Sequence, residues 1–412
     1  IFLTASAGQT RQKKIVMIKE STFNKHEKRL LCGLTREAIN TKGGININKF
    51  LAYTALFSSA TEVWKGFDID RVVVVNDFET EVFGTVDFVD DRAYTIERRN
   101  QNVLIPHTDG CGLISSKVCE TNFILRMPFV KGLLVSMDFH KWVEEKNANT
   151  KIIDIYNKEH DVSNIDVILT KSQFKMYKYY QDWQQYKDYF KANKCNASYC
   201  KFEEQSPKDS TLTYQMLQTL IDITDEELQT LIAPTNDYIS KIGNDEATTL
   251  DMLGLCKDNE HKNSLQQAYE LYPAILKDAY TKTMIKNVKK SIVKNAYAGK
   301  IQTKGGKYTF IAPDMYAFCE HLFLGIENPT GLLANGEVSC ALYEDQQKLD
   351  CLRSPSLYME HAIRKNVVND ETTKWFNTNA IYTSTHDLIT KIIQADCDGD
   401  TLLVVSDPTV IS

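Results

Sequence analysis

The chain has 412 residues, enough for two or three domains with cores of their own. Its 43% hydrophobic and 25% charged residues are ordinary for a soluble globular protein, and no run approaches the ~18 uninterrupted apolar residues of a membrane helix. A net charge of −6 argues against indiscriminate nucleic-acid binding, though a local basic channel is compatible with it.

Ile1 stands where an initiator Met would, and no signal-peptide pattern follows, so the chain reads as part of a longer cytoplasmic protein. Residues 1–75 mix a strand pattern (IVMIK) with helical ones such as EKRLLCGLTREAI and KFLAYTALFSSATEVW. Residues 76–180 are a series of short runs rich in branched and aromatic residues, among them EVFGTVDFV, AYTIERR, FILRM, GLLVSM and IDVILT, preceded by RVVVV. That density of short strands predicts a small barrel.

Residues 181–300 switch to helical periodicity. Thr224-Asp225-Glu226-Glu227 is a capping box that opens one helix. The stretch from Asn263 to Tyr297 predicts a long helix, bent or restarted at Pro273. Residues 301–412 return to strands and turns, apart from a helical segment around PDMYAFCEHLFLG. The order predicts an α+β protein: two β-barrels joined by a helical connector.

Ten cysteines are scattered, with one C-x4-C at Cys195 and Cys200 and no C-x2-C pair. This fits reduced thiols in a cytosol better than a zinc site, and makes the sequon Asn196-Ala197-Ser198 accidental. His107, His361 and His386 lack metal-ligand spacing and read as polar or structural residues.

The densest chemical signal lies near the end. In IIQADCDGDTLLVV, Asp396, Asp398 and Asp400 occupy alternate positions between two apolar runs, with Gly399 between the last two. In a strand they would share one face. A turn at Gly399 would gather them around one point. Converging carboxylates repel unless a cation neutralises them, and hard oxygen ligands select Mg²⁺ or Ca²⁺ over zinc. An EF-hand loop would carry its glycine at the sixth position, where Thr401 stands. A metal-free acidic turn would not need apolar runs on both sides.

Ala395-Asp396-Cys397-Asp398-Gly399-Asp400 resembles the D-x-D-G-D metal loop of RNA polymerases built from two double-psi β-barrels. That superfamily includes the large subunits of cellular polymerases, the RNA-silencing polymerases of eukaryotes and single-chain polymerases of some phages and prophages. Cys351-Leu352-Arg353-Ser354-Pro355-Ser356-Leu357 is similar to the R-x-P-t-L element that precedes the loop. Asp109-Gly110-Cys111-Gly112-Leu113-Ile114-Ser115 resembles the D-G-x-G-x-I-S segment opening the first barrel in the silencing and phage enzymes. Lys131-Gly132-Leu133-Leu134-Val135 resembles their K-G strand. Lys171-Ser172-Gln173-Phe174-Lys175 resembles their R-P-S-x-x-K segment, with Thr170 and Lys171 departing from it, and Ser6 to Arg11 resembles their S-x-x-Q-x-R stretch.

The resemblance spans residues 6–400 in the family's order. It implies that 76–180 is a first double-psi β-barrel, 181–300 a helical connector and 301–412 a second barrel, after a mixed N-terminal segment 1–75. It also implies template-directed RNA synthesis from ribonucleoside triphosphates. Asp396, Asp398 and Asp400 would hold Mg²⁺, Lys131 and Lys175 would neutralise phosphates, and Arg353 would reach the ribose of the incoming nucleotide. Gly399 and Gln173 would complete the substrate pocket. Arg11, beside Lys13 and Lys14, would touch nucleic-acid backbone. Lys286 and Lys290 belong to a basic stripe with Lys282 and Lys294, four residues apart, on a helix whose other face carries Ile285, Val288 and Ile292. They would either track a template–product hybrid or form a solvated face.

Ala395 and the form of the Arg353 element are similar to the DNA-dependent members, which implies a DNA template and a phage or prophage setting. An RNA template is the alternative. A nucleic-acid-binding module with a degenerate site is a third reading, and three converging carboxylates argue against it.

Overall fold

The computed structural model describes residues 2–4, 13–58, 61–256, 259, 261–356 and 360–412. Contacts group the chain into two units, one of residues 1–206, 309–348 and 364–402, the other of 207–308, 349–363 and 403–412.

In the first unit the branched and aromatic runs become a seven-stranded sheet. Its strands are β1 (Glu62–Val63), β2 (Val72–Val75), β3 (Cys111–Ser115), β4 (Phe123–Met127), β5 (Val130–Met137), β6 (Val167–Thr170) and β7 (Ser198–Phe202). They lie in the order β1-β7-β4-β5-β3-β6-β2. β3 pairs with β5 and β6 with β2 in parallel, while the other neighbours are antiparallel. All residues of β2, β3 and β6 are buried, as their unbroken apolar runs require. The core includes Leu125, Leu134, Leu169, Phe174, Trp183 and Tyr186. Trp183 enters it at no hydrogen-bonding cost, because its Nε1 donates to Val72 O at 2.7 Å.

EVFGTVDFV and AYTIERR form one long antiparallel hairpin, Glu79–Asp90 paired with Thr95–Pro106 over twelve residues each. Val82 and Ile105 are buried, and Phe83, Val89, Tyr94 and Ile96 are exposed.

Six strands close into a barrel: β8 (Gly306–Pro313), β9 (Glu337–Ser339), β10 (Lys348–Leu352), β11 (Ala362–Asn366), β12 (Ile381–Thr383) and β13 (Thr401–Val405), in the order β8-β12-β9-β11-β10-β13. The helix Met315–Leu324 is capped by Asp314, whose carboxylate also accepts from the amides of Leu332 and Leu333, and it ends at left-handed Gly325. Residues 76–180, expected as a closed barrel, contribute β3–β6 to a sheet with ends at β1 and β2. The local pattern specified strands but not their closure, because strand partners are set by packing between distant segments.

The second unit is mainly helical. Asp225–Lys241 opens with the Thr224–Glu227 capping box. The expected long helix is restarted: Ser264–Leu271 stops, Pro273–Lys277 forms a 3₁₀ turn, and Ala279–Tyr297 follows from its Asp278 cap. A core of Leu212, Met216, Leu231, Ile301, Leu352 and Leu403 holds this unit together. Among the described residues no helix is long and apolar enough to cross a membrane, and the ten cysteines are free thiols.

Candidate active site

The aspartate loop lies between the short helix Ile389–Ile392 and β13, and buried Ile389, Ile393, Leu402 and Leu403 anchor its two ends. Gly399 adopts φ +119°, which a side chain would rarely tolerate, and a Cβ there would meet Ile124 Cδ1 at 2.7 Å. The turn therefore packs directly on β4. It brings one carboxylate oxygen from each of Asp396, Asp398 and Asp400 within 4.8 Å of the others. Oxygen donors this close, without a soft ligand among them, fit a hard divalent cation.

The loop is seated on the Asp109-Gly110 turn. Gly110 has φ +76°, and a Cβ on it would fall 2.3 Å from Asp398 Cβ, so only glycine permits the approach. Gly132 on β5 passes equally close: its added Cβ would lie 2.1 Å from Gly110 O and 2.5 Å from Gln173 Nε2. Gln173 is fully buried; its Oε1 accepts from Thr170 N at 2.9 Å and its Nε2 donates to Leu133 O at 3.1 Å. Both ends of that amide are thus engaged by backbone beneath the site.

Lys131 reaches across to Asp398 and forms an ion pair with Oδ2. Burial disfavours the Asp398 carboxylate, but the charge and hydrogen bond of Lys131, helped by Lys175, outweigh it and hold its pKa below the usual range. Asp396 lacks such a partner. Loss of hydration, then the charges of Asp398, Asp400 and Asp109, push it up to about 6. Lys175 donates to Ser172 O, and its pKa is lowered by burial and by the charge of Lys131, against the pull of Asp109, Asp398 and Asp77.

Sequence reasoning gave no role to Asp77 or Asp109. Asp77 accepts from Ser172 N at 3.0 Å and from its hydroxyl, and Ser172 Oγ in turn accepts from Gly110 N at 2.7 Å. Burial raises the Asp77 carboxyl, with Asp109 adding to the effect. The available signal was an acidic residue just after the apolar run of β2. Five carboxylates, from Asp77, Asp109, Asp396, Asp398 and Asp400, are thereby coupled to two ammoniums.

The other expected residues stand on several elements. Arg353 is half-buried at the end of β10, before a cis Ser354-Pro355 bond. Lys282, Lys286, Lys290 and Lys294 are exposed on the helix Ala279–Tyr297, whose Ile285 is buried. Arg11 and the S-x-x-Q-x-R stretch fall outside the described residues, as does Leu357. His107 is buried against Thr80 Oγ1 at 2.8 Å, and burial lowers its pKa to about 3. His386 Nε2 lies 3.0 Å from Thr330 O.

No protein-family model matches the chain. Over its full length it is 47% identical, across 415 residues, to the DNA-directed RNA polymerase YonO of Bacillus phage SPbeta, and it spans 49% of that relative. Among solved structures it is similar to the RNA dependent RNA polymerase QDE-1 from Thielavia terrestris. The TM-score is 0.52, covering 88% of this chain and 38% of that one at 13% identity, which is a likeness of fold alone. The chain is homologous along its entire length to about half of a phage RNA polymerase.

Proposed function

We propose that this chain carries the catalytic centre of a template-directed, DNA-dependent RNA polymerase of a phage or prophage, acting in the host cytoplasm. The observation that carries the reading is the Asp396–Asp398–Asp400 cluster set against Lys131, in a chain 47% identical to a phage DNA-directed RNA polymerase. The sheet with β3–β6 and the closed barrel would correspond to the two double-psi barrels, with 181–300 as connector.

The three aspartates would hold Mg²⁺. Held there, Mg²⁺ would supply activation of an RNA 3′-hydroxyl and neutralisation of the charge developing on the triphosphate. The chain's own residues do the rest. Asp396, with its carboxyl raised by its neighbours, is the member whose repulsion a cation relieves most. Lys131 orients Asp398, and Lys131 and Lys175 together supply positive charge for phosphate oxygens without reorganising. Arg353, a planar fork of five donors, would contact the ribose. Gly399 and Gly110 let backbones approach where side chains would block the pocket, and Gln173 acts beneath it by fixing Gly132. Lys286, Lys290 and Arg11 would meet nucleic-acid backbone.

The test is primed extension with labelled ribonucleotides on matched DNA and RNA templates, with Mg²⁺ and with a chelator. Mg²⁺-dependent extension on DNA is expected. Extension on RNA alone would move the assignment to an RNA-dependent enzyme, and template binding without any extension would leave a binding module.

A further inference from the structure

A second polar feature lies along the strand that supports the aspartate loop. On β4, Phe123, Leu125 and Met127 enter the hydrophobic core, and Ile124 and Arg126 take the opposite face. Ile124 is the residue that Gly399 packs on. Arg126 stands two residues further, directly across from Lys131 on β5 and from Ser198 on β7. Residues directly opposite in antiparallel strands share a face, so the surface that supplies Lys131 to Asp398 continues to Arg126.

There it meets a cavity of about 220 Å³ whose walls include Arg29, Arg126, Thr54, Tyr53, Asn196 and Ser198 and, among the described residues, no carboxylate. Arg29 Nη2 lies 2.9 Å from the Asn196 amide, whose oxygen accepts from it when the amide is turned to donate to Cys195 O, and among the described residues no carboxylate pairs with Arg29. Arg126 donates from Nη1 to Leu125 O at 2.9 Å, while its Nε is buried with no hydrogen-bond partner among the described residues. Buried donors are seldom left unmade, and a guanidinium with no acid to pair with calls for an anion. Two guanidiniums beside the Ser198 hydroxyl form a receptor for phosphate oxygens.

We infer that the Arg29–Arg126 cavity binds a backbone phosphate of the nucleic-acid strand that runs from the aspartate loop along this face, an inference that rests on the polymerase reading. The phosphate sits between the two guanidiniums, and the Ser198 hydroxyl donates to one of its remaining oxygens. The contact fixes the strand's register without reading its sequence.

The experiment measures affinity for a single-stranded oligonucleotide across a range of salt, for the wild type and for Arg29→Gln, Arg126→Gln and Arg126→Lys. Each glutamine variant is expected to make the slope of log affinity against log salt shallower by about 0.7, the value for one lost phosphate contact on a single strand. Arg126→Lys, which keeps the charge, is expected to retain the wild-type slope. Melting temperature and affinity for a free ribonucleoside triphosphate are expected to hold in all three. Unchanged slopes with a lowered melting temperature would overturn the inference and make both arginines structural. Weakened binding of the free triphosphate, with the oligonucleotide slope unchanged, would also overturn it, since the cavity would then be a nucleotide pocket. Extension assayed in parallel separates this from the parent reading. Unchanged slopes in a protein that extends primers remove the phosphate contact alone. Shallower slopes in a protein that never extends them keep the contact and remove the polymerase.

Discussion

Two carboxylate clusters in this chain are solved in opposite ways. In the second unit Asp350, fully buried, lies 2.5 Å from His361 Nδ1, and His361 Nε2 lies 2.6 Å from Thr219 Oγ1. Thr219 donates its own hydrogen to Met216 O at 2.7 Å, so the groups facing both ring nitrogens are acceptors that favour the protonated ring. Burial opposes that charge, yet the bond and charge of Asp350 raise the His361 pKa above its ordinary value. One negative group meets one positive group, although the second oxygen of Asp350 is buried with no hydrogen-bond partner among the described residues. In the first unit Asp398 has Lys131, but Asp396 is driven up to about 6 by loss of hydration and then by the charges of Asp398, Asp400 and Asp109. The Asp350–His361 pair is balanced in charge as folded. The aspartate cluster has room for a cation and for the anions that a cation brings. Charge left uncompensated by the fold is what distinguishes the proposed metal cluster from the Asp350–His361 pair.

The comparison breaks most visibly at Asp398. Asp398→Ala is expected to lower primer extension by several orders of magnitude, because it removes a metal ligand and the partner of Lys131. Its melting temperature without metal should stay close to the wild type, since the pair is part-exposed. Added Mg²⁺ should raise the wild-type melting temperature and leave the variant unmoved. Wild-type extension rates in the variant would end the assignment.

Asp350→Ala should do the reverse, costing about 3–5 kcal/mol of stability by stranding a buried cation. Because the folded His361 pKa is raised, the pair's contribution is full below about 6.5, the unfolded value. It is then lost as pH rises through the higher folded value. Denaturation of wild type and variant across that range should therefore converge on the alkaline side. A gap independent of pH would mean that the ring is neutral.

A smaller effect is expected from Lys175→Met, which should raise KM for triphosphates about tenfold or more, on the order of one charge-assisted contact, with little change in nucleic-acid affinity. Equal losses in both would make Lys175 a support of the Ser172 turn. The mildest is Arg353→Ala. It should raise nucleotide KM and erode discrimination against deoxynucleotides, read from competition between the two sugars. Unchanged discrimination would return Arg353 to a structural ion pair.

Local features were the legible ones. The Thr224–Glu227 box, the break at Pro273 and the strand runs depend on residues within a few positions of one another, and each stands where the sequence put it. The aspartate triad was legible for the same reason, its spacing and glycine being contained in five residues. What sequence alone could not disclose was partnership. Lys131 stood out through its resemblance to a K-G strand, yet its pairing with a residue 267 positions away is a product of the whole fold. The twelve-residue pairing of the hairpin, the order of the sheet and the Asp77–Ser172–Gly110 chain were hidden likewise. Gln173 reads as a ligand in a linear motif and turns out to serve the backbone, because its burial comes from β3 and β5 rather than from its neighbours in sequence.

The distance in sequence between Lys131 and Asp398 also orders events in time. Chains emerge from the ribosome with the N-terminal end first, and segments far apart in sequence meet late. The ammoniums of Lys131 and Lys175 are therefore synthesised long before the carboxylates that balance them. A translation product cut anywhere before Asp396 carries the basic half of the site and no metal ligands from the loop. The lysines and the carboxylates that face them therefore come together as one site only once residues 131 and 398 have both been made.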